Sequence, residues 1–144
     1  MKLTRLIYAS VTPSEMSYAE LTAILRSAEA HNTARGITGM LCYSGGSFLQ
    51  ALEGDRDEVN RLYNRIVRDP RHEQCTILSY RRIVARQYDD WSMKLVGLDD
   101  QTTAFRRAIV LRHSGSAVFA PLQMSGAQAS ALLQALAHAT RQIA

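Results

Sequence analysis

Cysteine, proline and tryptophan are scarce in this chain, with two, three and one among 144 residues. Cys42 and Cys75 form neither a C-x-x-C pair nor a disulfide ladder, and both sit in apolar, strand-like text, so they read as reduced core residues. No apolar run approaches the ~18 residues that cross a bilayer. The opening text, MKLTRLIYAS, has no signal-peptide core, so the expected location is the cytoplasm, with no membrane partner. Basic residues exceed acidic ones, 17 to 13, yet the arginines are scattered (Arg5, Arg26, Arg35, Arg61, Arg65, Arg68) and never form a run. A pI near 9.4 is the only support for an RNA-binding sheet, whose aromatic RNP pattern is missing, so no nucleic-acid partner is expected. G-x-G-x-x-G and P-loop motifs are absent, and no Ser or Cys advertises a partnered His. His31, His72, His113 and His138 lack paired ligand spacing, which argues against a metal site.

What remains is a chain 47% hydrophobic and 21% charged, of a size that buries roughly two-thirds of its unfolded surface. Leu3 to Ala9 reads as a buried strand ending before Thr12 and Pro13. Ser17 and Glu20 form a capping box, with Met16 and Leu21 as its staple, and open a helix expected to end near His31 and Asn32. Gly36 to Tyr43 and Ser47 to Glu53 read as strands joined through Ser44, Gly45 and Gly46. A second helix begins at Asp55 and Glu58, carries Val59, Leu62, Tyr63, Ile66 and Val67 at helical spacing, and stops at Asp69 and Pro70. Thr76 to Ile83 and Trp91 to Val96 supply two further strands. The order βαββαββ predicts an α+β, ferredoxin-like, five-stranded mixed sheet with both helices on one face. Residues 1–98 form this domain, and 99–144 form a helical extension without independent standing. In the extension, Thr103 to Arg112 reads as one helix, and Ser125 with Gln128 opens another bearing Leu132, Leu133, Leu136 and Ile143. Its alanines permit packing on the sheet's free face; a partner surface is the other reading.

Several residues are awkward where they stand. Period-two alternation puts Gln50 on the face of Phe48 and Leu52, and Tyr8 on that of Leu6 and Thr4. A buried amide without partners costs on the order of 1 to 3 kcal/mol, so the Tyr8 hydroxyl beside it is either a structural partner or part of a site. Asn32 falls where a helix takes a left-handed cap, but its amide also suits a ring edge offering C=O and N–H side by side. Ile24 and Ile66 either fill core or line a slot wide enough for a flat ring, with Arg65 at its rim. Trp91 and Met93 alternate onto one face with Leu95, packing against core or against a chromophore.

These positions occur together in one family. Over residues 3 to 97 the chain resembles the BLUF family of flavin-binding blue-light sensors, through LIYAS with Tyr8, HN with His31 and Asn32, GITGMLCYSGGSFLQALEG with Gln50, and WSMKL with Trp91 and Met93. The resemblance implies a non-covalent FAD, FMN or riboflavin being alternatives. It implies that Asn32 pairs with the ring edge, Gln50 reaches N5 and O4, Tyr8 bonds Gln50, and Ile24 and Ile66 sandwich the ring. Arg65 and Asp69 would hold the ribityl-phosphate arm, and His31 would lie near the dimethylbenzene side. Light would drive electron and proton transfer from Tyr8, leaving Gln50 rearranged and the strand of Trp91 and Met93 in a second packing. The resemblance further implies a sensor without enzymatic activity, in a homo-oligomer, signalling through association with an unidentified downstream protein. The rival is a flavin-binding reductase on the same scaffold.

Overall fold

The computed structural model describes residues 1–98 and 103–143. The side chains of Thr103 and Ile143, and with them the expected role of Ile143, lie outside the described residues, as does the first part of the extension at 99–102. Strands β1 (Leu3–Val11), β2 (Thr38–Ser44), β3 (Ser47–Asp55), β4 (Glu73–Arg82) and β5 (Lys94–Gly97) form one sheet in the order β4-β1-β3-β2-β5. β1 is antiparallel to β3 and β4, β2 is antiparallel to β3, and β5 joins the edge parallel to β2, which makes the sheet mixed. The interleaving of β1 and β3 is the expected split βαβ arrangement.

Helix α1 (Tyr18–Arg35) is entered through the Ser17–Glu20 capping box, with both reciprocal hydrogen bonds at 3.2 Å. It runs past the expected end. Gly36, at φ 67°, supplies the left-handed cap, so Asn32 lies inside the last turns of the helix and does not cap it. The polar pair His31 and Asn32 has the look of a helix exit, but the left-handed turn falls to Gly36, which adopts it without a Cβ penalty. Gly45 and Gly46, at φ 55° and 81°, form the two-residue turn between β2 and β3. Asp55 precedes α2 (Arg56–Arg68) without a side-chain cap, its carboxylate accepting instead from the Lys2 backbone N–H at 3.1 Å.

The two faces of the sheet carry separate cores. Leu6, Tyr8, Leu41, Phe48 and Leu52 lie under α1 and α2. On the other face Ile7, Ala9, Met40, Cys42, Leu49 and Ala51 are covered by α3 (Thr103–Ser114) and α4 (Gly126–Ile143), through Val110, Leu132, Leu133 and Leu136. The extension therefore packs on the free face of the sheet. Cys42 is fully buried, and burial pushes its thiol up to about 12, which makes it an inert core residue. Among the described residues no helix is long and apolar enough to cross a membrane.

Candidate functional site

The β1–β3 register sets Tyr8 directly opposite Gln50, and the β2–β3 register sets Leu41 against Gln50 from the other side. All three side chains are buried, and they face α1 and α2. The Tyr8 hydroxyl donates a short hydrogen bond to Gln50 Oε1, and Gln50 Nε2 donates to the Met93 sulfur at 3.4 Å. Burial drives the Tyr8 phenol well above its ordinary pKa, with smaller contributions from Cys75, Tyr63 and Asp69, so the hydroxyl keeps its proton. Phenol, amide and thioether thus form a line of three buried groups.

Asn32 approaches this line from α1. Its Nδ2 donates to the Ser92 carbonyl at 2.9 Å, and because a carbonyl only accepts, that bond fixes which end of the amide is nitrogen. The other end, Oδ1, is buried without a hydrogen-bond partner. An orphaned buried acceptor costs on the order of 1 to 3 kcal/mol, and this one belongs to a residue lining a cleft.

The cleft lies between α1 and α2 and opens to solvent. Ile24 and Ala28 form one wall, Leu62 and Ile66 the other, and Tyr8 and Gln50 lie at the floor. The rim is cationic. Arg65 Nη1 lies 2.8 and 3.0 Å from the two ring nitrogens of His31, and Arg71 holds the Asp69 carboxylate at 2.5 Å. That pairing keeps Asp69 below the usual carboxylate range. Burial, then Arg65 and Arg35, lowers the His31 pKa, while burial lowers that of His72, whose Nδ1 lies 2.9 Å from the Ser10 hydroxyl.

Tyr8, Ile24, His31, Asn32, Gln50, Arg65, Ile66 and Asp69, the eight residues expected at a cofactor, all line this one cleft. Met93 joins them through Gln50. Trp91 does not. It packs against the core on the opposite face, stacked on Tyr88 with ring centroids 6.5 Å apart, with the Arg141 guanidinium 4.5 Å above it. Met93 and Leu95 share the face under α1 and α2 as expected, and only Trp91 departs from the alternation, because β5 begins at Lys94 and period two has no hold on the irregular residues before it. Leu41, Leu62, Arg71 and His72 also line the cleft, and the sequence did not point to a cofactor role for any of them. Leu41 was accessible through hairpin register, whereas Arg71 and His72 follow Pro70 in text that reads as a solvated turn.

A sheet covered by helices on both faces thus carries a cleft with an orphaned amide oxygen at its side and two arginines at its rim. The family model described as "Sensors of blue-light using FAD" matches residues 3–94, and the chain belongs to this BLUF family of flavin-using blue-light sensors. The photoactivated adenylate cyclase subunit beta of Euglena gracilis is 37% identical over 103 residues, covering 70% of this chain and 12% of that protein. The chain thus spans about an eighth of such curated relatives. Among solved structures, "BlsA photo-activated state" is 30% identical with a TM-score of 0.81, covering 93% of this chain and 94% of the other. "BlrB - a BLUF protein, dark state structure" is also 30% identical, with a TM-score of 0.78, covering 96% and 97%. These two likenesses span nearly the whole chain.

Proposed function

We propose that the cleft holds the isoalloxazine of FAD and that blue light switches the Gln50 hydrogen bonds, so that the protein signals by changing its association with itself or with a downstream protein. The observation that carries this reading is the orphaned Asn32 Oδ1, an acceptor suited to a ring N–H, beside the Tyr8–Gln50–Met93 line. Ile24 and Ile66 would flank the ring, and Arg65 with Arg71 would meet the phosphates, the feature that favours FAD over riboflavin. When bound, the flavin supplies blue-light absorption and an excited state able to draw an electron from a nearby phenol.

The chain's own part is a donor–acceptor exchange. In the observed arrangement Tyr8 donates to Gln50 Oε1 and Gln50 donates to Met93. A half-turn of the Gln50 amide presents N–H where Oε1 now stands and sets an oxygen against the Met93 sulfur. That costs Met93 its hydrogen bond and makes a second packing of residues 91–93 competitive. Nothing in this cycle turns over a substrate, so the chain itself is read as a sensor and not an enzyme.

The test is absorption in the dark, under blue light and in the dark again. The wild-type protein should show flavin bands that move slightly red and recover thermally, and Gln50→Leu should bind flavin without that shift. A full shift in Gln50→Leu sinks the switch, and bleaching of the wild type under light would favour the reductase reading.

A further inference from the structure

The segment between β4 and β5 is gripped from both faces of the sheet within a few residues. At its start the fully buried Glu53 carboxylate accepts from the backbone N–H of Gln87 and Tyr88 at 3.0 and 2.8 Å, and it is itself neutralised by Arg5 at 2.8 Å. At its end three consecutive residues serve three different neighbours. The Trp91 carbonyl accepts from Gly39 N at 3.0 Å, the Ser92 carbonyl accepts from Asn32, and Met93 accepts from Gln50. Ser92 and Met93 therefore contact Asn32 and Gln50, two residues that line the cleft, while the Trp91 ring belongs to the opposite face.

Arg141, in the last turn of α4, closes the middle of the segment. It donates to Asp90 Oδ1 and Oδ2 at 2.9 and 3.1 Å and to the Gln87 carbonyl at 2.7 Å, and its guanidinium lies over the Trp91 ring. An isolated exposed ion pair would hold little, but planar stacking and a bidentate carboxylate together use the geometry of arginine, which lysine does not reproduce. Only Ser92 separates the residue under Arg141 from the residue that receives the Gln50 hydrogen bond. We infer that Arg141, on the far face of the sheet from the cleft, is a positioning residue for Ser92 and Met93 and couples the last turn of α4 to the hydrogen-bond state of Gln50.

This inference rests on the proposed switch and deepens it by naming the contact through which the cleft reaches α4. Coupling is reciprocal: if rearrangement at Gln50 loosens Arg141, loss of Arg141 must alter the relative stability of the two Gln50 arrangements. The test uses the full flavin-loaded chain as wild type, Arg141→Gln and Arg141→Lys, with thermal recovery of the light-induced spectral shift and amide hydrogen exchange in α4 as readouts. In the wild type, light should raise exchange in the last turns of α4. In Arg141→Gln, dark exchange there should already be at the lit level, and the rate of thermal recovery should differ from that of the wild type. Arg141→Lys should behave like Arg141→Gln, because charge alone does not stack. Unchanged recovery in Arg141→Gln, or α4 exchange indifferent to light in the wild type, overturns the coupling while leaving the spectral switch intact. A wild type with no spectral shift removes both.

Discussion

His72 shows how a single side chain at the cleft sets the conditions under which the fold holds. Its ring packs 4.8 Å from Phe48 and 6.2 Å from Tyr8 and is held by Ser10, and burial lowers its pKa below the ordinary histidine value, with Asp69 opposing and Arg71 assisting. Its folded pKa lies below its unfolded one, so the unfolded chain binds the extra proton first. Stability from this group is complete above about pH 6.5 and is lost as the pH falls below it, with a slope of at most about 1.4 kcal/mol per pH unit. Melting curves between pH 8 and 5 should show that decline, and His72→Gln should flatten it. His31 is shifted in the same direction and should leave a residual slope. None of this was readable from sequence, since a histidine after Pro-Arg carries no periodic signal. Tyr8 and Gln50 were readable because strand alternation alone assigned them to a face, and the register then made them neighbours.

At the scale of elements, the β2–β3 hairpin does more than connect. A Cβ on Gly39 would lie 2.0 Å from the Ala51 carbonyl oxygen and 3.1 Å from the Met93 methyl, so this position needs glycine for close approach and not for an unusual φ. Gly39→Ala should push β2 from β3 and cost about 3 kcal/mol, at the upper end of overpacking losses, and it should broaden or displace the flavin bands by moving Met93. Calorimetry and a dark absorption spectrum check the two effects; an unperturbed variant would mean that the strands part freely here. The sequence marked both helices and the hairpin through caps and turn residues, whose signals are local. It placed β5 poorly because four residues, Lys94–Gly97, hold too little pattern to show where pairing starts. The same brevity hid the divergence of Trp91 from Met93.

For the whole molecule, the decisive fact is that strands β1, β2 and β3 are buried on both faces. Ala129, Leu132, Leu133, Leu136 and Ala137 on α4 are each at most 1% exposed and cover a sheet face that includes Ile7, Met40 and Leu49. Removing residues 122–143 would uncover that face, so truncation tests folding and not partner binding. The shortened chain should lose its cooperative melt and aggregate, as followed by circular dichroism and light scattering. A truncated chain that melts as sharply as the full one would show that α4 is dispensable. This docking was one of two readings open in the sequence, because an alanine-rich helix suits a sheet and a partner equally well.

The row formed by Tyr8, Gln50 and Leu41 depends on two hairpin-like registers agreeing. A slip of β3 by one residue would turn Gln50 toward α4 and set Leu49 or Ala51 beneath the slot. Under the flavin reading, such a chain would still contain every residue of the site and yet be colourless. The yellow of a freshly made preparation would then serve as an optical assay of strand alignment, reporting in a cuvette how many molecules had paired their strands correctly.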